Sequence, residues 1–240
     1  MGPVTLQSNE IVEPDHIRKI LLLQRVQGWS HLRLLRAKAM IVWTFVIILR
    51  HCETRQMDLC DISQVDDGSI ARVRKAKNDA IGRGASTMFG HGTPWAAKAE
   101  KSLYDWIEEA RLKPSAQCTK KLDPRAHCTS CGFLFRRLRT SKQASAVTVT
   151  DLPISHSTLT QELRLVYCQL VKDGQLPPTF DTKRRAIDLR RGGHTAMANK
   201  DVKSLRRAAH GRWKNPATCG DNYTFLHRSL MMQHSSIMLD

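Results

Sequence analysis

The chain has 240 residues, 41% of them hydrophobic, which is enough for one large or two small globular units with a real core. Its 38 lysines and arginines stand against 22 acidic residues, a formal charge of +16, as expected of a protein whose partner carries many phosphates. The most apolar run, Ala39 to Leu49, is far shorter than the roughly 20 residues that cross a bilayer, and the first sixteen residues lack the apolar core of a secretory signal, which argues against membrane insertion and export.

Apolar positions Ile17, Ile20, Leu21 and Val26 recur near helical period from Pro14 to Gln27, with Gly28 as the stop. A second helix is predicted from near Ser30 through the apolar block to about Cys52, buried on most sides. A short helical turn to Leu59 precedes the turn Asp66-Asp67-Gly68 and a strand from Ser69 to Arg74, anchored by Ile70 and Val73. Ala85 to Phe89 is a candidate partner strand, which makes Lys75 to Gly84 the loop of a hairpin.

Thr93-Pro94 is a cap and first-turn pair, and Trp95, Ala99, Leu103, Trp106 and Ala110 fall on one face of the helix it opens. Lys113 to Thr150, rich in cysteine, serine and basic residues, reads as an irregular, mobile loop or insertion. Helices follow from about Leu159 to before Gly174, from Lys183 to Asn199 and from Asp201 to Ala209. The layout is mainly α with one small antiparallel β-sheet, an α+β domain.

The basic residues cluster at Arg72 to Arg83, at Arg136 to Arg139, at Lys183 to Arg191 and at Lys203 to Arg207, a pattern that favours nucleic acid over mere solubility. The seven cysteines are odd in number and irregular in spacing, unlike a secreted disulfide framework, and suit a reducing compartment. Cys128-Thr-Ser-Cys131, with Cys118 and His127 nearby, is a zinc candidate. With no second pair at standard spacing, free thiols in a loop are the simpler reading. No phosphate-cradling glycine loop and no paired-carboxylate metal site stands out, so no cofactor is expected.

Five boxes carry the chemistry. Arg50-His51-Cys52-Glu53 precedes Leu59 and Asp61-Ile62; Lys77-Asn78-Asp79 precedes Gly82 and Gly84; Asp188-Leu189-Arg190-Arg191-Gly192-Gly193 runs on into Thr195 and Ala196; Gly211-Arg212-Trp213 follows; and a lone Tyr223 closes the order. The whole series resembles the catalytic domain of the tyrosine recombinases, the phage-integrase-like enzymes that cut and rejoin DNA through a phosphotyrosine. An i,i+3 ion pair between Arg50 and Glu53 would explain the first box equally well.

The resemblance implies roles. Arg50 and Arg190 would clamp the scissile phosphate, Lys77 would be the general acid with Lys75 its competitor, Trp213 would donate its indole N–H, and Tyr223 would be the nucleophile. Arg74, Lys75, Arg83, Arg191, Arg212 and Lys214 are the expected DNA contacts. Where the family usually has histidine three residues before Arg190, this chain has Ile187, which offers no proton; His194, one turn later, is the available substitute.

The resemblance also implies site-specific cleavage and rejoining of double-stranded DNA through a 3′-phosphotyrosyl intermediate, as in integration of a mobile element. Two rival readings stay open: a catalytically degenerate DNA-binding module of the same fold, and a type IB topoisomerase. The expected organisation is a single catalytic domain over 1–240, with 113–150 as the insertion. The tail at 224–240 would dock on another copy in a homo-oligomer, and the family's N-terminal DNA clamp would be absent or supplied by a partner. The expected location is intracellular, the nucleus in a eukaryote and the cytoplasm in a prokaryote.

Overall fold

The structure, a computed structural model, describes residues 12–74, 84–118, 126–140, 147–200, 202 and 204–212. Its organising element is helix α2 (His31–Val46), in which every residue from Ala39 to Val46 is buried. A helix apolar all round can only be a central one. It is packed by α1 (Pro14–Leu22), α4 (Pro94–Glu109), α5 (Thr158–Lys172) and α6 (Ala186–Asn199). The starts follow local chemistry: Ser30 accepts the Arg33 N–H at 3.2 Å and Thr93 accepts the Ala96 N–H at 3.2 Å, each satisfying an amide that the first turn leaves without a partner.

Two helix ends differ from the sequence expectation. Helix α1 stops at Leu22, well before Gly28, whose φ of 75° serves the turn into α2 instead. Helix α2 stops at Val46 and not near Cys52. There the Ile48 N–H donates to the Phe45 carbonyl and the Leu49 N–H to the Thr44 carbonyl, a Schellman closure in which Ile48 takes the left-handed position at φ 54°. A β-branched residue seldom adopts that conformation, so the apolar run gives no local sign of the break. A separate short helix, α3 (His51–Gln56), and a 3₁₀ turn at Leu59–Asp61 follow.

A three-stranded antiparallel sheet comes next, β1 (Ile62–Val65), β2 (Gly68–Val73) and β3 (Ala85–Gly90), in that spatial order. The β2–β3 pairing, Val73 opposite Ala85 and Gly68 opposite Gly90, is the expected hairpin. Strand β1 was not anticipated, because its middle residues Ser63 and Gln64 are exposed and give no apolar alternation. Residues of β2 alternate between faces, so the inward set is Ser69, Ala71 and Val73 while Ile70 is only half-buried. Ile70 and Val73 cannot share a face.

The segment 113–150 is not the irregular loop expected. It carries β4 (Arg136–Thr140), paired antiparallel with β5 (Val147–Pro153), and buries Cys128, Cys131, Leu134 and Phe135. The Trp106 indole N–H donates to the Leu134 carbonyl at 2.9 Å and ties the segment to α4. Its strands were hidden because Arg136, Arg137 and Arg139 dominate β4 and its outer positions face solvent. Helix α5 begins and ends as expected before Gly174; α6 starts at Ala186, three residues later than expected, and α7 (Ser204–Gly211) closes the described chain.

Candidate functional site

The break after α2 builds the site. A helix end leaves carbonyls without intrahelical partners and carries partial negative charge, so it attracts N–H donors. Three arrive from the other end of the chain: His210 Nε2 donates to the Val46 carbonyl at 2.9 Å, Arg212 donates to those of Ile47 at 3.2 Å and Ile48 at 3.0 Å, and Arg190 also donates to that of Ile48. Arg190 projects from α6 and its second amino group donates to the Gly211 carbonyl at 2.5 Å, which fixes α6 against α7.

Arg50 sits at the start of α3. Its backbone N–H donates to Glu53 Oε2 at 2.8 Å and its guanidinium to Oε1 at 2.7 Å, so the i,i+3 pair does form. It is not an isolated pair. Arg212 meets the same carboxylate at 2.9 Å, and Arg190 lies 3.9 Å from it. Three guanidiniums therefore surround one buried carboxylate, and the site carries an excess of positive charge suited to an anion.

Burial works against ionisation of Glu53, but the charge of Arg212, then the Arg50 amide and guanidinium, outweigh it and hold the carboxyl below its ordinary range. Burial, followed by the charges of Arg212 and Arg50, pushes Arg190 down to about 9. A phosphate arriving here would relieve that crowding of positive charge.

The other expected residues divide clearly. Arg212, expected as a surface DNA contact, is only 7% exposed and also donates to Thr87 Oγ1 at 3.1 Å; it is an internal strut between α7, β3 and the end of α2. Arg74, also expected on DNA, pairs with Asp58 and Asp61 at 2.9 Å each and donates to the Ala126 carbonyl at 3.0 Å, so its guanidinium is committed inside the chain. Arg191 remains at the surface, 3.8 Å from Asp188. Ile187 is 42% exposed, so the position before Arg190 presents aliphatic surface. His194 is half-buried; burial, then Arg207 and Arg190, lower its pKa and favour a neutral ring.

Lys75, Lys77, Arg83, Trp213, Lys214 and Tyr223 lie outside the described residues. The ends of the expected Lys77 loop are described, at Arg74 and Gly84. Near the first of them, a cavity of about 300 Å³ is lined by Glu53, Met57, Arg72, Arg74, His127 and Phe133.

The candidate metal set, beside which free thiols were the simpler reading, differs in one member. Cys118, Cys128 and Cys131 do come together, but the fourth group is Cys60, and the four sulfurs all lie within 4.8 Å of one another. His127 instead pairs with Asp58 at 2.6 Å and stacks on Phe133. Cys60 and Cys118 are too far apart in sequence for a spacing argument to join them. The sequence offers Glu53 only as the box partner of Arg50; its contact with Arg212 has no sequence signal, since no local pattern encodes a contact between positions 159 apart.

No protein-family profile matches the chain, and no curated protein matches it in sequence. Among solved structures, the chain is similar to XerH site-specific recombinase bound to difH substrate in a pre-cleavage complex, with 15% identity and a TM-score of 0.53 over 92% of this chain and 51% of that one. It is similar also to XerH in a post-cleavage complex with palindromic difH, with 14% identity and a TM-score of 0.54 over 98% of this chain and 56% of that one. The chain thus spans about half the length of these recombinases. At such identity the likeness is one of fold: the α+β fold is similar to that of tyrosine recombinase catalytic domains.

Proposed function

We propose that this chain cleaves and rejoins double-stranded DNA as the catalytic part of a tyrosine recombinase. The observation that carries the reading is the convergence of Arg50 and Arg190 on Glu53, from opposite ends of the described chain, at the broken end of α2. Arginine suits this task because its planar fork can donate two N–H groups to a phosphate, which the lysine ammonium does not match. The solved structures of like fold are recombinases on their DNA substrates, which supports duplex DNA as the partner.

In the proposed reaction the Tyr223 oxygen attacks the phosphorus as its phenolic proton passes to solvent, and Arg50 and Arg190 stabilise the added charge on the non-bridging oxygens. Arg190 redirects an N–H from a backbone carbonyl to the phosphate, the stronger acceptor because it is charged. Lys77 protonates the departing 5′ oxygen and Trp213 donates its indole N–H. The 3′-phosphotyrosyl bond keeps the energy of the broken phosphodiester, so attack by another strand's 5′ hydroxyl restores DNA and frees the tyrosine without nucleotide hydrolysis. Arg191 would contact the flanking backbone, as would Lys75, Arg83 and Lys214. The tail at 224–240 is proposed to dock on a second copy.

Trapping on nicked suicide duplexes tests this. The wild-type chain is expected to form adducts on denaturing gels that vanish in Tyr223→Phe, and Arg50→Ala is expected to slow their formation by about 10²–10³-fold, the scale of losing one preorganised charge-stabilising donor. A second reading rests on Ile187, which puts aliphatic surface where proton transfer would be assisted: a binding module that no longer cleaves. It requires duplex binding without adducts, unchanged in Tyr223→Phe.

A further inference from the structure

We propose that Cys60, Cys118, Cys128 and Cys131 hold a structural zinc ion, which fastens the segment between α4 and β4 to the root of the three-stranded sheet. This inference is independent of the proposed strand cleavage. Tetrahedral zinc with Zn–S bonds of about 2.3 Å separates its sulfurs by about 3.8 Å. Cys118 and Cys128 Sγ are 3.7 Å apart, and all four sulfurs fall within 4.8 Å of one another. Four thiols converging so closely from three separate stretches of chain are unusual as mere packing. Four soft thiolates in that arrangement select zinc over magnesium or calcium, which prefer oxygen ligands.

The backbone is shaped for the task. Cys128 and Cys131 are the two arms of a tight turn closed by the Gly132 N–H donating to the Cys128 carbonyl at 2.8 Å. Gly132 has φ 68°, and a Cβ there would lie 2.7 Å from Arg136 Nη2. Glycine therefore meets both the left-handed conformation and the close approach of a cation. Arg136 donates to the Cys131 carbonyl at 2.8 Å, placing its positive charge beside a centre whose four thiolates and divalent ion would sum to a net negative charge. The Ser115 N–H donates to Cys131 Sγ at 3.4 Å, the kind of amide–sulfur bond that stabilises a thiolate.

Cys60 enters from the other side. It lies in the 3₁₀ turn Leu59–Asp61, which is laced to the cysteine turn by the Leu59 N–H donating to the Gly132 carbonyl at 3.0 Å and the Leu134 N–H donating to the Met57 carbonyl at 2.8 Å. Asp58, two residues before Cys60, accepts the Cys128 N–H at 2.7 Å and pairs with Arg74 at 2.9 Å. The ion would thus sit behind Arg74, the residue that follows β2. His127 stays outside the ligand set because its Nδ1 is engaged with Asp58.

The full chain, purified without chelator, is expected to contain one zinc per molecule by elemental analysis. Cobalt exchanged into it is expected to show the intense visible bands of a tetrahedral thiolate site. Cys60→Ser and Cys118→Ser are each expected to weaken zinc retention against a competing chelator at least about tenfold, and His127→Ala is expected to keep full stoichiometry. Wild-type protein with no bound metal, whether its thiols are reduced or paired as disulfides, would overturn the proposal, as would stoichiometric iron in place of zinc. Loss of zinc from His127→Ala together with full retention by Cys60→Ser would overturn the ligand set. If the serine variants do not fold, the wild-type metal content and cobalt spectrum still decide.

Discussion

Glu53 has more depending on it than any other side chain of the site. It is 5% exposed and faces Arg50 and Arg212 directly, with Arg190 3.9 Å away. Removing the carboxylate leaves buried guanidiniums without their counter-charge, so Glu53→Ala is expected to cost about 3–5 kcal/mol in urea unfolding, and Glu53→Gln, which keeps the shape, somewhat less. His16 makes a different demand. Its Nδ1 accepts the Glu13 N–H at 3.1 Å, and its ring lies edge-on to Tyr167 and Phe180, an arrangement that needs the neutral imidazole. Burial, then Lys19, lowers its pKa to about 4. Between that value and about 6.5, the ordinary histidine value, the unfolded chain binds more protons than the folded one, so stability falls as pH drops through this window. His16→Asn keeps an acceptor and removes the titration. It is expected to flatten the pH 4–6.5 slope in part, since His51 and His194 are shifted the same way.

Among the elements, α6 shows how tightly packing fixes the site. A Cβ at Gly192 would collide with the Val12 carbonyl oxygen, and the Phe45 ring lies 3.1 Å from the same point. Gly192→Ala must therefore push α6 off the N-terminal end of α1 or off α2, and Arg190 stands only two residues away. The expected result is a loss of about 1–3 kcal/mol, as for an overpacked core, read as a lower melting temperature together with slower adduct formation. The end of α2 is as consequential. Left-handed Ile48 costs about 1–3 kcal/mol, and the carbonyl it turns outward is held by Arg190 and Arg212, so the contacts that offset the strain come from residues the site needs. None of this was legible locally, since a run of Val46, Ile47, Ile48 and Leu49 contains no glycine or proline to mark a stop. The Thr93-Pro94 start and the β2–β3 pairing were legible, because a helix cap and two short runs joined by a glycine-containing loop are short-range signals.

For the whole molecule, the +16 charge bears on the proposed binding to duplex DNA. Binding to duplex DNA through several phosphates releases condensed counterions, and an interface of 6–10 such contacts loses about 10³–10⁵ in affinity between 50 and 200 mM salt. A fall of that order is expected in a fluorescence-anisotropy titration with random-sequence duplex. Arg191→Ala, at the surface, is expected to reduce the log–log salt slope by about one unit, whereas Arg74→Ala, whose guanidinium is held by Asp58 and Asp61, acts through stability. Among the described helices none is long and apolar enough to cross a membrane, consistent with the short apolar run.

Composition, helical period and capping residues were enough to give an α+β domain with a strong positive charge, and the resemblance of the boxes to a known family put Arg50 and Arg190 together, both of which approach Glu53; these signals lie within a few residues of one another or in the simple order of motifs. What needed the folded chain was every contact joining distant segments: Arg212 turned inward to Glu53, Arg74 held by two aspartates, and Cys60 in place of His127 beside the other three thiols. A side chain's role at such distances depends on which backbone carbonyl, carboxylate or sulfur the fold brings beside it, and that partner is chosen by packing of the whole chain rather than by spacing along it.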